Sequence, residues 1–249
     1  MRLVLLFQRC VFLLLLSASA SGAPAQNPDF ERILVPISVS NVAGAYGSLW
    51  STEMWYRNNG SAPVAIISLA ESDFVPAVGQ TDRLPIFMLP AAAPGQILLV
   101  QRQGGENVQF DLRLFNRSDP AASWGTKLPV VREREFHSTV DLINIPTSSA
   151  FRSALRIYAL PDTDVPTGDV LVRIYAEAVG EPLLVSLPLT LSGAQPYAAV
   201  LSLTDAFPEI RQVDRVHVHV ESMTGNLKIW AFVSVVSNAT QNVSLVTPE

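Results

Sequence analysis

Arg215-Val216-His217-Val218-His219-Val220-Glu221 puts three valines on one side of the chain and four polar residues on the other. Successive side chains of a β-strand point to opposite faces, so this strict period of two marks a strand with one buried and one solvated face. Met223-Thr-Gly225-Asn226 then reads as a turn, and Leu227 to Val236 as a returning strand. Together they predict a hairpin that closes the second of two domains.

Working outward, a second pattern occurs twice, about a hundred residues apart. Trp50-Ser-Thr52-Glu-Met54 leads through a turn to Val64-Ala-Ile66-Ile-Ser-Leu69-Ala70-Glu71. Phe151-Arg-Ser153-Ala-Leu155 leads through a turn to Val170-Leu-Val172-Arg-Ile-Tyr175-Ala176-Glu177. The repeat extends in pattern to Leu84–Pro90 with Pro94–Val100, matched by Val185–Leu191 with Ala194–Val200. Two sibling domains follow, 26–131 and 132–249. They meet at Val131-Arg132-Glu133-Arg134-Glu135, whose alternating charge suits a strand-like link better than a loose tether.

The alternating segments predict strands near 33–39, 50–57, 63–70, 84–89, 96–102, 108–115 and 124–131 in the first unit. In the second they fall near 136–144, 151–159, 169–177, 183–191, 197–203, 213–221 and 227–236. No helix is predicted. Eighteen prolines and thirteen glycines fall mostly between these runs, where turns belong. Pro85, Pro90 and Pro188 lie within or beside strands and should mark edges or bends, since proline cannot donate to a ladder. The fold class is all-β, two tandem antiparallel sandwiches of about seven strands each.

Arg57-Asn58-Asn59-Gly60-Ser61-Ala62-Pro63-Val64 resembles the Asn-x-Gly-Ser-x-Pro-Val turn of immunoglobulin-like modules in exported bacterial proteins. The resemblance covers about eight residues of one unit and implies an immunoglobulin-like sandwich. The second unit has Pro161-Asp162-Thr-Asp164-Val-Pro166-Thr-Gly168-Asp169 in its place. A more distant resemblance is to periplasmic pilus chaperones, which also join a signal peptide to two such domains. Phe87-Met-Leu-Pro90 through Pro94-Gly95-Gln96 is similar to the Pro-Gly strand turn of that family's first domain. The family's basic cleft residues have no placed counterparts here, and its members are commonly basic where this chain is acidic.

The N-terminus reads as an export signal over residues 1–25. Arg2 and Arg9 precede an apolar core from Val11 to Leu16, then small residues with cleavage sites after Ala20 or Ala25. The core is short for a membrane span, and Gln8-Arg9 interrupt it. The expected location is therefore periplasmic or extracellular. Cleavage after Ala25 removes the sole cysteine, Cys10, so the remaining 224 residues must be held by core burial rather than disulfides. Thiol catalysis, thiolate metal sites and redox chemistry are excluded from the mature chain. With Arg2 and Arg9 gone, fifteen cations face 22 acids, a net charge of −7 against −5 for the whole chain. That balance argues against nucleic acid or anionic membrane as a partner. No apolar run outside the signal is long enough to span a bilayer.

Few constellations carry chemistry. His217 and His219 share one strand face with Glu221, the spacing two metal ligands would need, while Arg215 on the same face opposes a cation. A solvated polar face is the competing reading, and His137 is the only other histidine. Asp162, Asp164 and Asp169 crowd a turn that a calcium ion could use, although aspartate is favoured in turns for local hydrogen bonds. No Gly-x-Ser-x-Gly elbow occurs, and Asp111, Asp141 and Glu177 do not stand out as paired acids. Gly104-Gly105 reads as a hairpin tip without phosphate-loop context. Trp55 falls on the polar side of its strand between Glu53 and Arg57, where it either packs under a neighbour or contacts a ligand or partner. Sequons stand at Asn59, Asn116, Asn238 and Asn242, meaningful only on a eukaryotic secretory path.

The composition and patterning thus predict an exported, non-enzymatic protein for binding, adhesion or envelope structure, with no cofactor and a protein or glycan as partner. The competing expectations are a pilus-type chaperone acting by donor-strand pairing, and a hydrolase or metal-binding protein whose site assembles in space.

Overall fold

The computed structural model describes residues 28–68, 71–84, 95–119, 124–161, 167–192 and 197–248. The predicted signal segment, Asp162 and Asp164, and most of the Leu84–Pro94 pattern with Pro85 and Pro90 lie outside the described residues.

The described chain is nearly all strand, as the patterning predicted, and every ladder is antiparallel. Its elements in order are β1 (Phe30–Val35), β2 (Val42–Ala43), β3 (Leu49–Asn58), β4 (Ile66–Ser68), β5 (Glu71–Phe74) and β6 (Thr81–Leu84). There follow β7 (Gln96–Gln101), β8 (Val108–Asn116), β9 (Thr126–Leu128), β10 (Val131–Arg132), β11 (Thr139–Pro146) and β12 (Phe151–Pro161). The last are β13 (Thr167–Ala176), β14 (Leu183–Ser192), β15 (Tyr197–Ser202), β16 (Arg215–Ser222), β17 (Leu227–Ser237) and β18 (Val243–Val246). Only single helical turns interrupt them, such as Leu203–Ala206 after β15. Among the described residues no helix is long and apolar enough to cross a membrane.

Four sheets form. Sheet I has the order β10-β1-β7-β4-β5, and sheet II the order β2-β3-β8-β9 with β6 also on β3. Sheet III runs β11-β16-β13-β14, and sheet IV runs β15-β12-β17-β18. The two halves share one wiring. β1-β7-β4-β5 has the same connectivity as β11-β16-β13-β14, and β6-β3-β8-β9 the same as β15-β12-β17-β18. The repeat seen at Trp50 and Phe151 therefore marks equivalent strands, β3 with β12 and β4 with β13.

Three details differ from the sequence reading. The strand at 96–101 is equivalent to β16, not to the strand at 197–202, whose counterpart is β6; partner strands, not local pattern, set the equivalence. The turn at Met223–Asn226 does not close a hairpin, because β16 belongs to sheet III and β17 to sheet IV. Strand β16 has one wet face, whereas β17 is buried on both from Ile229 to Val235, so the two suit different layers. In the second half the first strand, β11, lies beside the sixth, β16, and the seventh, β17, beside the second, β12. The immunoglobulin order places the first beside the second and the seventh beside the sixth. Pro188 behaves as expected: it sits in β14, an edge strand paired only to β13.

Two apolar cores result. One gathers Ile33, Val35, Met54, Ile66, Leu98 and Leu112 between sheets I and II. The other gathers Leu142, Leu155, Ile157, Val172, Val218 and Ile229 between sheets III and IV. The first core also takes in Tyr158, Leu160, Trp230 and Phe232 from sheet IV. Sheet IV thus serves both cores. Leu155, Ile157, Ala231 and Val233 point to the second, and alternate residues Tyr158, Trp230 and Phe232 to the first.

The charged connector is docked rather than free. β10 pairs with β1, the Arg32 guanidinium donates to Glu133 Oε1 at 2.6 Å, and Arg132 reaches Glu31 at 2.7 Å.

Candidate functional site

The outer face of sheet II is built by alternation along β3 and β8. Met54 and Tyr56 point inward, so Glu53, Trp55 and Arg57 must point outward. The register then sets Trp55 opposite Asp111 on β8 and Arg83 on β6, and Glu53 opposite Arg113, which itself faces Lys127 on β9. Trp55 is 42% exposed and Trp124, just before β9, is 76% exposed. An indole so open to water forfeits burial, which most tryptophans obtain.

Cations surround these rings. Arg113 stacks 4.6 Å over the Trp124 ring while its Nε donates to Asp111 Oδ2 at 2.8 Å. Arg117 lies 4.8 Å over Phe115, and both Arg117 and Arg83 pair with Glu53. Arg57 donates to Asn59 Oδ1 at 2.8 Å and to Thr81 Oγ1 at 2.7 Å. Neither Arg57 nor Lys127 has a carboxylate partner among the described residues. The face holds five cations, Arg57, Arg83, Arg113, Arg117 and Lys127, against two acids, Glu53 and Asp111.

Trp124 is also one wall of a cleft of about 410 Å3, with Trp50 as another. Asn116, Asp119, Thr126, Gln241 and Asn242 supply polar groups to its lining. The cleft lies where β8 and β9 approach the β17–β18 turn, and Thr126 Oγ1 donates to the Val243 carbonyl at 3.1 Å. Its size is that of a small-molecule or single-sugar pocket.

The histidine pair sits elsewhere, on the outer face of sheet III. His217 Nε2 lies 2.7 Å and His219 Nδ1 2.8 Å from one oxygen, Asp141 Oδ1, on the neighbouring strand β11. A carboxylate can only accept, so both rings present N–H to it. Burial pushes the Asp141 carboxyl up, but the hydrogen bonds and charge of His219 and His217 outweigh that and hold it below the usual aspartate range. Glu221 turns away to Arg173, 2.9 Å apart, and the His217 ring packs 5.7 Å from Tyr175. Among the described residues no group of three or more His, Cys, Asp or Glu is arranged to hold a metal ion. His137 is on a different ladder, bridged to Ile229, and lines an open groove of about 600 Å3 with Thr139, Asp141 and Leu245. Asp169 accepts from Thr190 Oγ1 at its carboxylate, and its backbone N–H donates to Thr224 Oγ1. The acids weighed as a catalytic pair are dispersed: Asp111 on sheet II, Asp141 with the histidines, and Glu177 accepting the Asn144 amide.

The sequence singled out Trp55 but not Trp124, Arg113 or Lys127, and named Asp141 only among possible paired acids, not as a partner of the histidines. Trp124 stands alone beside a gap in the pattern, and nothing local places it two strands away from Trp55. Asp141 becomes the histidines' partner only through the β11–β16 register.

No known family profile matches this chain, and no curated protein matches it. Two solved structures share a weak likeness. One is Bacteroides uniformis β-glucuronidase 2 covalently bound to cyclophellitol-6-carboxylate aziridine, at 9% identity and a TM-score of 0.18, covering 79% of this chain and 24% of that one. The other is a calcium-binding mutant of the same enzyme, at 12% identity and a TM-score of 0.16, covering 87% and 28%. This chain thus spans about a quarter of each, and likeness at that level places neither fold nor chemistry.

Proposed function

We propose that this chain is an exported, non-enzymatic binding protein for adhesion or envelope structure. In this reading two tandem sandwiches, 26–131 and 132–249, follow a signal peptide over 1–25. Each is immunoglobulin-like in size, with its first and seventh strands exchanged between the sheets. One observation carries the reading: Trp55 on β3 and Trp124 in the turn before β9 are exposed in a setting of arginines, and neither belongs to a core. Large rigid rings presented to solvent are the anchors binding surfaces use. The polar cluster of His217, His219 and Asp141 is closed on itself by hydrogen bonds and supplies no nucleophile.

The test is a fractionation followed by a capture. The full chain is expressed in a bacterial host and the exported product located by immunoblot. It is then immobilised and exposed to cell-surface and extracellular-matrix extracts. Recovery of a saturable ligand, lost when Trp55 and Trp124 are both replaced by alanine, is the expected result. Catalytic turnover of a substrate with no retained ligand overturns the proposal, as does retention in the cytoplasm.

A further inference from the structure

We infer that the outer face of sheet II binds an anionic glycan, a polysaccharide carrying carboxylate or sulfate groups. This rests on the binding reading above and names its ligand class. Three observations converge on it.

The first is charge. Five cations against two acids give this face an excess of three positive charges, on a chain whose net charge is −5. Glu53 is shared between Arg83 and Arg117, so one carboxylate answers two guanidiniums. Arg57 and Lys127 answer to no carboxylate among the described residues. Guanidinium forks bind planar carboxylates and sulfates through two parallel hydrogen bonds, and a sheet face keeps their positions fixed.

The second is the placing of the rings. Trp55 belongs to β3 and Trp124 leads into β9, with β8 between them. Trp55 pairs with Asp111 and Thr126 with Leu114. At ~4.8 Å between strands and ~3.3 Å per residue, Trp124 stands two strands across and about five residues along from Trp55, roughly 20 Å away, the reach of an oligosaccharide and not of a single sugar. The C–H face of a sugar stacks on indole, while its acidic substituents reach the arginines alongside.

The third favours a glycan over a protein partner. A protein interface has a continuous apolar centre depleted of charge, with the charges at its rim. Here the order is inverted: the rings are separated by charged side chains that fill the middle, Glu53, Arg113 and Asp111 among them. That suits a hydrated, polyvalent chain. The polar cleft beyond Trp124, lined by Asn116, Gln241 and the Asp119 carboxylate, then accepts the next sugar through its hydroxyls, with its acidic group turned towards the arginines.

The experiment titrates the full chain with polygalacturonate, dextran sulfate, neutral dextran and duplex DNA, followed by calorimetry and by tryptophan fluorescence. Polygalacturonate or dextran sulfate should bind and dextran should not, with affinity falling as salt rises. Trp55→Ala/Trp124→Ala should weaken binding by about tenfold or more. Arg57→Gln/Lys127→Gln, which leaves every aromatic in place, should weaken it several-fold and flatten the salt dependence. Circular dichroism melts of both variants should match the parent. Equal binding of neutral dextran overturns the anionic assignment while leaving a glycan binder. Retention of DNA as tightly as the glycans overturns it in favour of a non-selective polyanion surface. Capture of a protein with no glycan bound overturns it and leaves the broader binding proposal standing. Variants that bind like the parent remove this face altogether.

Discussion

The Tyr158 hydroxyl donates to the Pro36 carbonyl oxygen, joining residues 122 positions apart in a fully buried setting. Tyr158 lies on β12, yet its ring lies parallel to Phe232 and tilted against Trp230 inside the core of the other half. Burial drives its pKa well above the ordinary tyrosine range, so the phenol stays protonated and remains a donor. Replacing it with phenylalanine keeps the packing but leaves the Pro36 carbonyl without this donor. Tyr158→Phe should cost about 1–3 kcal/mol in denaturant unfolding with an unchanged m-value.

Sheet IV's double role predicts joint unfolding. Phe232→Ala opens a void in the first core from a strand that also lines the second, and should cost about 3–5 kcal/mol. Tryptophan fluorescence, reporting Trp230 together with Trp50, Trp55 and Trp124 of the first half, and far-ultraviolet circular dichroism should give coincident transitions in parent and variant. Two separated transitions would mean that the halves unfold independently.

Gly95 tests the same seam without replacing an aromatic. A Cβ there would sit 2.8 Å from the Val35 carbonyl oxygen and 3.2 Å from Tyr158 Cε1. Since the oxygen is backbone, it cannot swing aside. Gly95→Ala should lower the melting temperature by several degrees, a loss of about 1–3 kcal/mol.

The connector should behave as a clamp. Glu133 receives three hydrogen bonds from Arg32, through the backbone N–H, Nε and Nη2, and a fourth from Arg102. Burial pushes its carboxyl up, but these Arg32 contacts prevail and hold it below the usual glutamate range. Glu133→Gln should cost about 1–3 kcal/mol, leaving a largely buried guanidinium short of its counter-charge. A variant as stable as the parent would reduce residues 131–135 to a passive link.

Asp141 gives the pH dependence its sign. Its carboxyl is depressed in the fold, against about 3.9 in an unfolded chain. It therefore binds protons more readily unfolded, and its stabilising contribution is complete above that value and lost as pH falls through the depressed folded one. Melting temperatures measured between about pH 5 and pH 3 should fall more steeply for the parent than for Asp141→Asn. Parallel curves would show that the histidine contacts contribute nothing to the fold.

The alternation at Arg215–Glu221 was sufficient to read a strand with one wet face, because burial of every second residue is a local property of a pleated chain. The same logic placed β3, β8, β12 and β13 within a residue or two of their observed ends. It also placed Trp55 on the outer face, since its neighbours Met54 and Tyr56 had to point inward. The short edge strands β2, β5, β6 and β18 escaped notice, two to four residues being too few to show a period.

What the sequence alone determined was fold class, the repeat at Trp50 and Phe151, and the sidedness of each long strand. Sheet membership was decided only in three dimensions, because a turn such as Met223–Asn226 can pair its strands or send them to different layers. The run Ile229-Trp230-Ala231-Phe232-Val233 carried the trace of that choice: lacking a polar face, it had to be covered on both sides, and a second core was the cover available. The meeting of Asp141 with His217 and His219, and of Trp124 with Arg113, also belongs to the tertiary structure. Their partners lie on neighbouring strands, and register between strands is fixed by the packing of the whole sheet.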